Sequence, residues 1–439
     1  MSRIENNDES VNIPFEEQED DQIVTPWTVS SKLGIDYLKI IDQFGCKPID
    51  GTLIRKFEEV TGKKIHKWMR RGIFFSHRNL NDILNTYLTG EHVFQYTGRG
   101  STAISMHLGH MLPFMFTKWL QDALDSTLVV QLSDDEKYFF KDGTTLEEFN
   151  RLAYENAKDI IACDFNLDKT LLFSNLNFMG GELYKNAVHI MKHTTGNQIR
   201  GIFGLNLDNN IGQLAWPCFQ AAPAFSNSFD RIFGKDTHIP CLVSLAIDQE
   251  PFFRLCDGFA DKFKTKGYLR PSRIHTKFLP SLEGINSKMS STGSAPVIFM
   301  TDTEKEIEQK IKGCFSGGQK TKKEQQELGA DLTVDIAYQY LLYFMEDDDE
   351  LRDIAEKYKS GQMMTGEIKN ILIGVVKKIV KDHQKKRNKV DQETLIKFFD
   401  INRKFDLTTK KKNEDIGEYN ADKYSSYGFN FDPYFGLYN

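Results

Sequence analysis

Residues 98–110 read GRGSTAISMHLGH, between HVFQYT (92–97) and MLPFMFTKWLQ (111–121). The first flank is aromatic and β-branched, as a strand is; the second is a long apolar run of helical character. A glycine-rich turn that hands a strand to a helix is the phosphate site of a doubly wound α/β sheet, where free helical N–H groups and the positive dipole end face an anion. The histidines are the unusual part. Spaced i, i+3 at a helix start, His107 and His110 put both rings on one face, and Gly109 between them has no Cβ to obstruct a flat ring or a sugar. An isolated H-x-x-H is commonly a surface pair, and a metal site would need a third ligand at matching spacing, which is not evident. The preceding glycine turn favours nucleotide phosphate.

Working outward, TLVVQL (127–132), TLLFS (170–174) and CLVSLAI (241–247) lack strict alternation, as strands buried on both faces do. Helical stretches such as TLEEFNRLAYENAKDIIAC (145–163) separate them, which predicts a parallel sheet with helical crossovers. Polar residues collect just past the strand ends, where such sheets bind ligands. They are Tyr96, Thr97, Gly98, Arg99 and Gly100 after the first strand, Gln131, Asp134, Asp135 and Glu136 after the second, and Asp248 and Gln249 after the last. A second string, NSKMSSTGS (286–294), sets Lys288 before Ser290 and Ser291 in a loop able to wrap a polyphosphate.

The 439 residues are 40% hydrophobic and 27% charged, which excludes disordered and membrane classes, and a net charge of −6 gives no global footprint for nucleic acid. Any such partner needs a local patch, and KKIVKDHQKKRNKV (377–390), with seven Lys/Arg against Asp382, is the candidate. Six cysteines with no C-x-x-C pair argue against a zinc ribbon or disulfide scaffold and for a reducing compartment. The acidic start MSRIENNDESVNIPFEEQEDDQ lacks a signal-peptide core, and no apolar run approaches a membrane span, so a cytoplasmic location is expected. The expected order is a disordered acidic tail (1–22), an appended N-terminal α/β segment (23–90), a catalytic sheet domain (91–300), a helical domain (301–390), and a C-terminal segment ending in an aromatic polar tail (391–439).

HLGH and KMSS, in this order and separation, resemble the two signatures of the class I aminoacyl-tRNA synthetases. RRGIFFSHR, YTGRG, KWLQ, SDDEKY, NAKDIIAC, QAAPAFSNSF, AIDQEPFFR, FSGGQ and EDDDEL, in sequence order, resemble the cytosolic, eukaryotic-type tryptophanyl-tRNA synthetase family more closely still. The resemblance runs from about residue 23 to 409. It implies a class I Rossmann-type doubly wound parallel sheet with a C-terminal all-helical, anticodon-binding domain. The activity implied is ATP-dependent activation of L-tryptophan and its transfer to tRNA(Trp), by a homodimer joined through its catalytic domains. ATP is then a substrate that arrives with Mg²⁺, with no tightly bound cofactor and no resident metal.

By the same resemblance His107 and His110 meet the ATP phosphates and ribose, and Lys288 stabilises the pentavalent phosphorus. Thr97, Gly98, Arg99, Gly100, Gly109, Met289, Ser290 and Ser291 complete the ATP site. Tyr96 and Gln220 accept the indole N–H, Gln131, Glu136 and Gln249 meet the α-ammonium, and Lys385, Lys386 and Arg387 contact tRNA. A carboxylate already ionised at neutral pH needs no general base, so positioning and charge stabilisation carry the reaction. The alternatives are a tyrosine-specific relative, a non-catalytic synthetase-like protein, and a nucleotidyltransferase making a small cofactor. Intact histidines and lysine loop count against the second, and the helical C-terminal region against the third.

Overall fold

A computed structural model describes residues 22–408 except 27, 33, 236–237 and 291–294. Most of the acidic N-terminal tail, the aromatic C-terminal tail and Ser291 therefore lie outside the described residues.

The strands are β1 (Gln22–Val24), β2 (Val29–Ser31), β3 (Lys47–Pro48), β4 (Phe74–Arg78), β5 (Phe94–Arg99), β6 (Thr127–Leu132), β7 (Thr170–Ser174), β8 (Cys241–Ala246), β9 (Ser272–Thr276), β10 (Pro280–Ser281) and β11 (Gly284–Lys288). The main sheet runs β3-β4-β9-β8-β5-β6-β7. From β9 to β7 all neighbours are parallel, while β3 and β4 pair antiparallel on one edge. β6 and β7 are buried at every residue, which is why their text does not alternate. From β5 the chain goes outward to β6 and β7 and then returns to β8 on β5's other side. The switch point falls between β5 and β8, where this architecture opens a crevice beyond the strand ends.

Residues 47–78 are not an appendage. β4 completes the main sheet against β9, with His77 opposite Ile274, so the expected boundary near residue 90 cuts through the sheet. The remainder of the N-terminal segment holds the helices Tyr37–Phe44 and Leu80–Leu88 and the β1–β2 hairpin. The hairpin joins a smaller sheet of order β1-β2-β11-β10, with Ser30 opposite Ser287, and so borders the strand that ends at Lys288. Sequence-local patterning could not place either strand, because both pair with residues far along the chain.

The region after 301 is helical as expected, notably Ile336–Phe344, Asp348–Lys359 and Thr365–Arg387. It does not have a core of its own: Tyr340, Leu372 and Val376 belong to the same buried cluster as Phe74, Val130 and Ile274. Polar contacts fasten it too. Arg70 and Arg71 both bond Asp348, and Arg71, almost fully buried, also donates to the carbonyls of Leu342 and Met345. Beyond it the chain crosses back, and Phe405 joins the core beneath β5, β7 and β8. Residues 391–408 are thus part of the folded body. All six cysteines are free thiols.

Candidate active site: a nucleotide cavity at the switch point

A cavity of about 540 Å³ opens beyond β5, β6 and β8. Tyr96, Thr97, Gly98, Arg99, Gly100, His107, Gly109, His110, Gln131, Glu136, Gln220, Asp248, Gln249, Lys288 and Met289 all line it. Three separate strand ends and the lysine strand therefore converge, as their sequence positions led one to expect.

Helix Leu108–Leu124 begins at the first histidine, and His107 is its N-cap in an extended conformation. The two imidazoles stack with centroids 3.5 Å apart and planes 25° from parallel. A Cβ on Gly109 would sit 3.2 Å from the His107 ring, so glycine there gives the ring room. Burial, then the charges of Arg99 and Lys288, push His107 down to about 3, and His110 is also held well below its ordinary range. Both rings are therefore neutral at physiological pH, each with one N–H donor. Both nitrogens of His107 and Nδ1 of His110 are buried without a partner among the described residues. Gly100 sits against the Glu136–Lys137 pair: a Cβ there would lie 2.5 Å from Glu136 Oε2 and 2.4 Å from Lys137 Cε, and would push both side chains aside.

Lys288 reaches across the cavity to Asp248, with Nζ 2.6 Å from Oδ2. Asp248 Oδ1 is buried with no partner. Met289 is buried in the main core, so its side chain anchors the lysine loop as well as bordering the cavity. Ser290 is partly buried and stands outside the lining.

The apolar part of the cavity has Trp216, Phe252 and Phe253 on its walls. Here the structure changes the expected pairing. The Tyr96 hydroxyl donates toward Gln131 Oε1 (2.6 Å) and the main-chain carbonyl of Gln220 (2.9 Å), not to the Gln220 side chain. Gln131 is held in turn by Asn175 and the Phe219 carbonyl, so it braces Tyr96. Gln220 Oε1 is buried and unpartnered. Glu136 pairs with Lys137.

Asp134 and Asp135 leave the site. Asp134 accepts from Asn150 and the Leu176 N–H, while Asp135 accepts from Asn175 and Trp216 and is pushed up to about 6 chiefly by burial. Both carboxylates hold loops together, a use that strand-end position alone does not distinguish from ligand binding. Arg387 leaves the nucleic-acid patch for a similar reason. Its guanidinium bonds Asp159 at 2.8 Å and Glu155 at 3.2 Å, with little exposure. Lys385 and Lys386 remain on the surface, each beside an exposed aspartate.

Two residues that sequence reasoning missed brace the glycine turn. Asn156 and Asp159, three apart on helix Leu146–Ile161 and fully buried, bond Arg99 and the Ala103 carbonyl, and the Met106 N–H, respectively. The available signal was a polar pair on the buried face of an amphipathic helix, which buried groups satisfy by bonding nearby loops. Among the described residues, Cys46, Glu250 and His275 also lie close enough to hold a metal. Glu250 is already saturated by Arg78, Arg273 and His275, so that cluster is an internal ion network.

A parallel sheet whose switch point gathers a glycine turn, paired imidazoles at a helix start and a strand-borne lysine defines a nucleotide-binding α/β protein of the class I synthetase type. The family described as tRNA synthetases class I (W and Y) matches residues 89–381, and the chain belongs to it. It is 48% identical over 383 residues to the cytoplasmic tryptophan–tRNA ligase of Rattus norvegicus, covering 86% of this chain and 79% of that one. The crystal structure of Plasmodium falciparum tryptophanyl-tRNA synthetase is similar at a TM-score of 0.78 and 45% identity, over 85% of this chain and 97% of that one. The tryptophan-bound enzyme of Encephalitozoon cuniculi is similar at 0.76 and 37% identity, over 84% and 98%.

Proposed function

We propose that the protein activates L-tryptophan with ATP and transfers the tryptophanyl group to tRNA(Trp), in the cytoplasm, as the relatives' names describe for them. The observation that carries the reading is the set of buried polar atoms left without partners around one cavity: His107, His110, Arg99 and Asp248 on the nucleotide side, Gln220 beside the aromatic walls. Buried polar groups are almost always paired in a native protein, so a cluster of orphans marks where a polar ligand binds.

The amino-acid carboxylate attacks the α-phosphorus, the bond to the β-phosphate oxygen breaks, and pyrophosphate leaves. The neutral imidazoles of His107 and His110 donate to phosphate and ribose oxygens without adding permanent charge. Lys288, released from Asp248, follows the charge that grows on the leaving group. Thr97, Gly98, Gly100 and Gly109 let the nucleotide approach the main chain, and Ser290 extends the lysine loop. Asp248 Oδ1 is an unpartnered carboxylate oxygen in the cavity, whereas Glu136 is paired with Lys137. Mg²⁺ arriving with ATP would be held largely by phosphates and water, with Asp248 offering a protein oxygen, and would neutralise phosphate charge.

The indole N–H is accepted by the Tyr96 hydroxyl, whose own proton is given to Gln131. Gln220 Oε1, buried and without a partner among the described residues, is the second acceptor for the indole N–H, and Gln249 and Glu136 face the α-ammonium. Lys385 and Lys386 meet tRNA phosphates. A second copy covers the exposed apolar residues Leu176, Tyr184, Val188, Leu207 and Ile211 on the catalytic body. ATP–pyrophosphate exchange with each of the twenty amino acids tests the reading; exchange that does not depend on tryptophan sinks it.

A further inference from the structure

Met106, the residue before the first signature histidine, is held at both of its main-chain groups. Its N–H donates to Asp159 Oδ2 at 2.9 Å, and its carbonyl accepts from the Met300 N–H at 2.8 Å. Leu108 N–H donates to the Ile298 carbonyl at 3.0 Å, so a short antiparallel ladder joins the histidine motif to the segment that follows the lysine motif. Both Met106 bonds continue to one stretch of the helix Thr365–Arg387. Asp159 Oδ1 is bonded by Arg387 Nε at 2.8 Å and His383 Nε2 at 3.0 Å. Gln384 Nε2 donates to the Met300 carbonyl at 3.0 Å and the Asp302 carbonyl at 2.9 Å.

We propose that His383, Gln384 and Arg387 are positioning residues that hold the stacked histidines of the nucleotide site in register, through Asp159 on one side of the ladder and Met300 on the other. Nucleotide affinity then depends on where the C-terminal helix sits. The inference rests on the reading of this cavity as an ATP site.

Three features support it. Neither these three side chains nor Asp159 lines the cavity, so an effect on ATP must act through position. Asp159 is fully buried, and its two oxygens accept from different segments, Oδ2 from the Met106 N–H and Oδ1 from Arg387 and His383. An amide there would turn its NH₂ toward either the Met106 N–H or Arg387, so a carboxylate is needed to join the two sides. Finally, three of the four ring nitrogens of His107 and His110 are buried with no partner among the described residues, so the placement of the rings is set by packing and by the main chain that carries them.

The test is tryptophan-dependent ATP–pyrophosphate exchange by the full chain. Arg387→Ala and His383→Ala are each expected to raise the ATP KM about tenfold, since misplacement of about an ångström can cost up to a hundredfold. The tryptophan KM should stay within about twofold, because no bond of this path reaches the apolar wall. His383→Gln, whose amide can donate to Asp159, should restore most of the loss. Glu155→Ala removes the other carboxylate beside Arg387 but leaves Asp159 gripped, and it should keep the wild-type ATP KM.

An unchanged ATP KM in either folded alanine variant overturns the proposal, as does a tryptophan KM that rises equally. Unfolding of both alanine variants while Glu155→Ala stays folded also overturns it, since Asp159 would then serve global stability alone. If the wild-type chain shows no tryptophan-dependent exchange, the functional reading fails first and is recognisable as such.

Discussion

Lys288 and Asp248 face each other across the cavity as a close ion pair, the ammonium 2.6 Å from a carboxylate that is itself almost fully buried. The lysine comes from β11 of the small sheet and the aspartate from the short helical turn Ile247–Gln249 that follows β8 of the main sheet. The pair therefore bridges the two sheets across the cavity. The aspartate offsets the lysine charge close to Arg99, and both cations act on the two imidazoles.

Replacement of Lys288 by alanine should slow tryptophanyl-adenylate formation by about a hundred- to a thousandfold, the usual cost of a group that acts on transition-state charge. Tryptophan binding, measured by quenching of intrinsic fluorescence, should hardly change. Asp248→Asn frees the lysine in the ground state but takes away the carboxylate oxygen offered to Mg²⁺, and it is expected to raise the Mg²⁺ concentration needed for half-maximal exchange. Single-turnover adenylation at wild-type speed in Lys288→Ala would remove the lysine from the mechanism.

Tyr96 and Gln220 should separate stability from specificity. The Tyr96 hydroxyl is buried and bonded, so Tyr96→Phe leaves Gln131 short of a donor and should cost about 1–3 kcal/mol of stability. Gln220→Leu removes an acceptor that already lacks a partner, and the free protein should be as stable or more so. Both variants should lose tryptophan selectivity over phenylalanine, since a site built around a substrate hydrogen bond discriminates by about ten-thousandfold. Thermal melts alongside amino-acid-resolved exchange decide it; intact selectivity in the double variant would move the indole contact elsewhere.

Lys385 and Lys386 provide the clean test of the tRNA patch, now that Arg387 is accounted for by Asp159. Reversal of both to Glu should weaken tRNA charging and flatten its salt dependence by about one to two phosphate contacts, leaving exchange unaffected. Charging that survives unchanged at moderate salt would make the two lysines an ordinary solvated face.

Acid should destabilise the fold through histidines buried in their neutral form. His66 and His107 are pushed down to about 3, and His77 and His92 to about 4, in every case first by burial. Their folded values lie below the ordinary value of 6.5, so between those limits the unfolded chain binds more protons. Stability is therefore flat above about pH 7 and falls as pH drops through about 6.5 toward about 4. Each histidine contributes a slope of up to about 1.4 kcal/mol per pH unit. His107→Asn should make the decline in denaturant midpoint with pH shallower; an identical slope would mean that the ring is accessible to protons in the folded state.

Some of this protein is written in local text. The runs of β5, β6, β7 and β8 are legible because strands buried on both faces must be apolar throughout, and the glycine turn before HLGH is legible because only certain residues suit a strand-to-helix junction beside an anion. The residue types of the nucleotide site, His107, His110 and Lys288 above all, follow from the same local chemistry. What the sequence could not decide is which polar residue meets which. Arg70 and Arg71 bond Asp348, which joins RRGIFFSHR to EDDDEL from nearly three hundred residues apart. Likewise, Arg387 is read from its neighbours as part of a basic run and becomes a half-buried strut only when Asp159 arrives from another helix. Periodicity and propensity act over a few residues, whereas the partner of a buried charge is chosen by the desolvation it must offset. That choice belongs to the packed tertiary structure, and it separates Gln131 the brace from Gln220 the open acceptor.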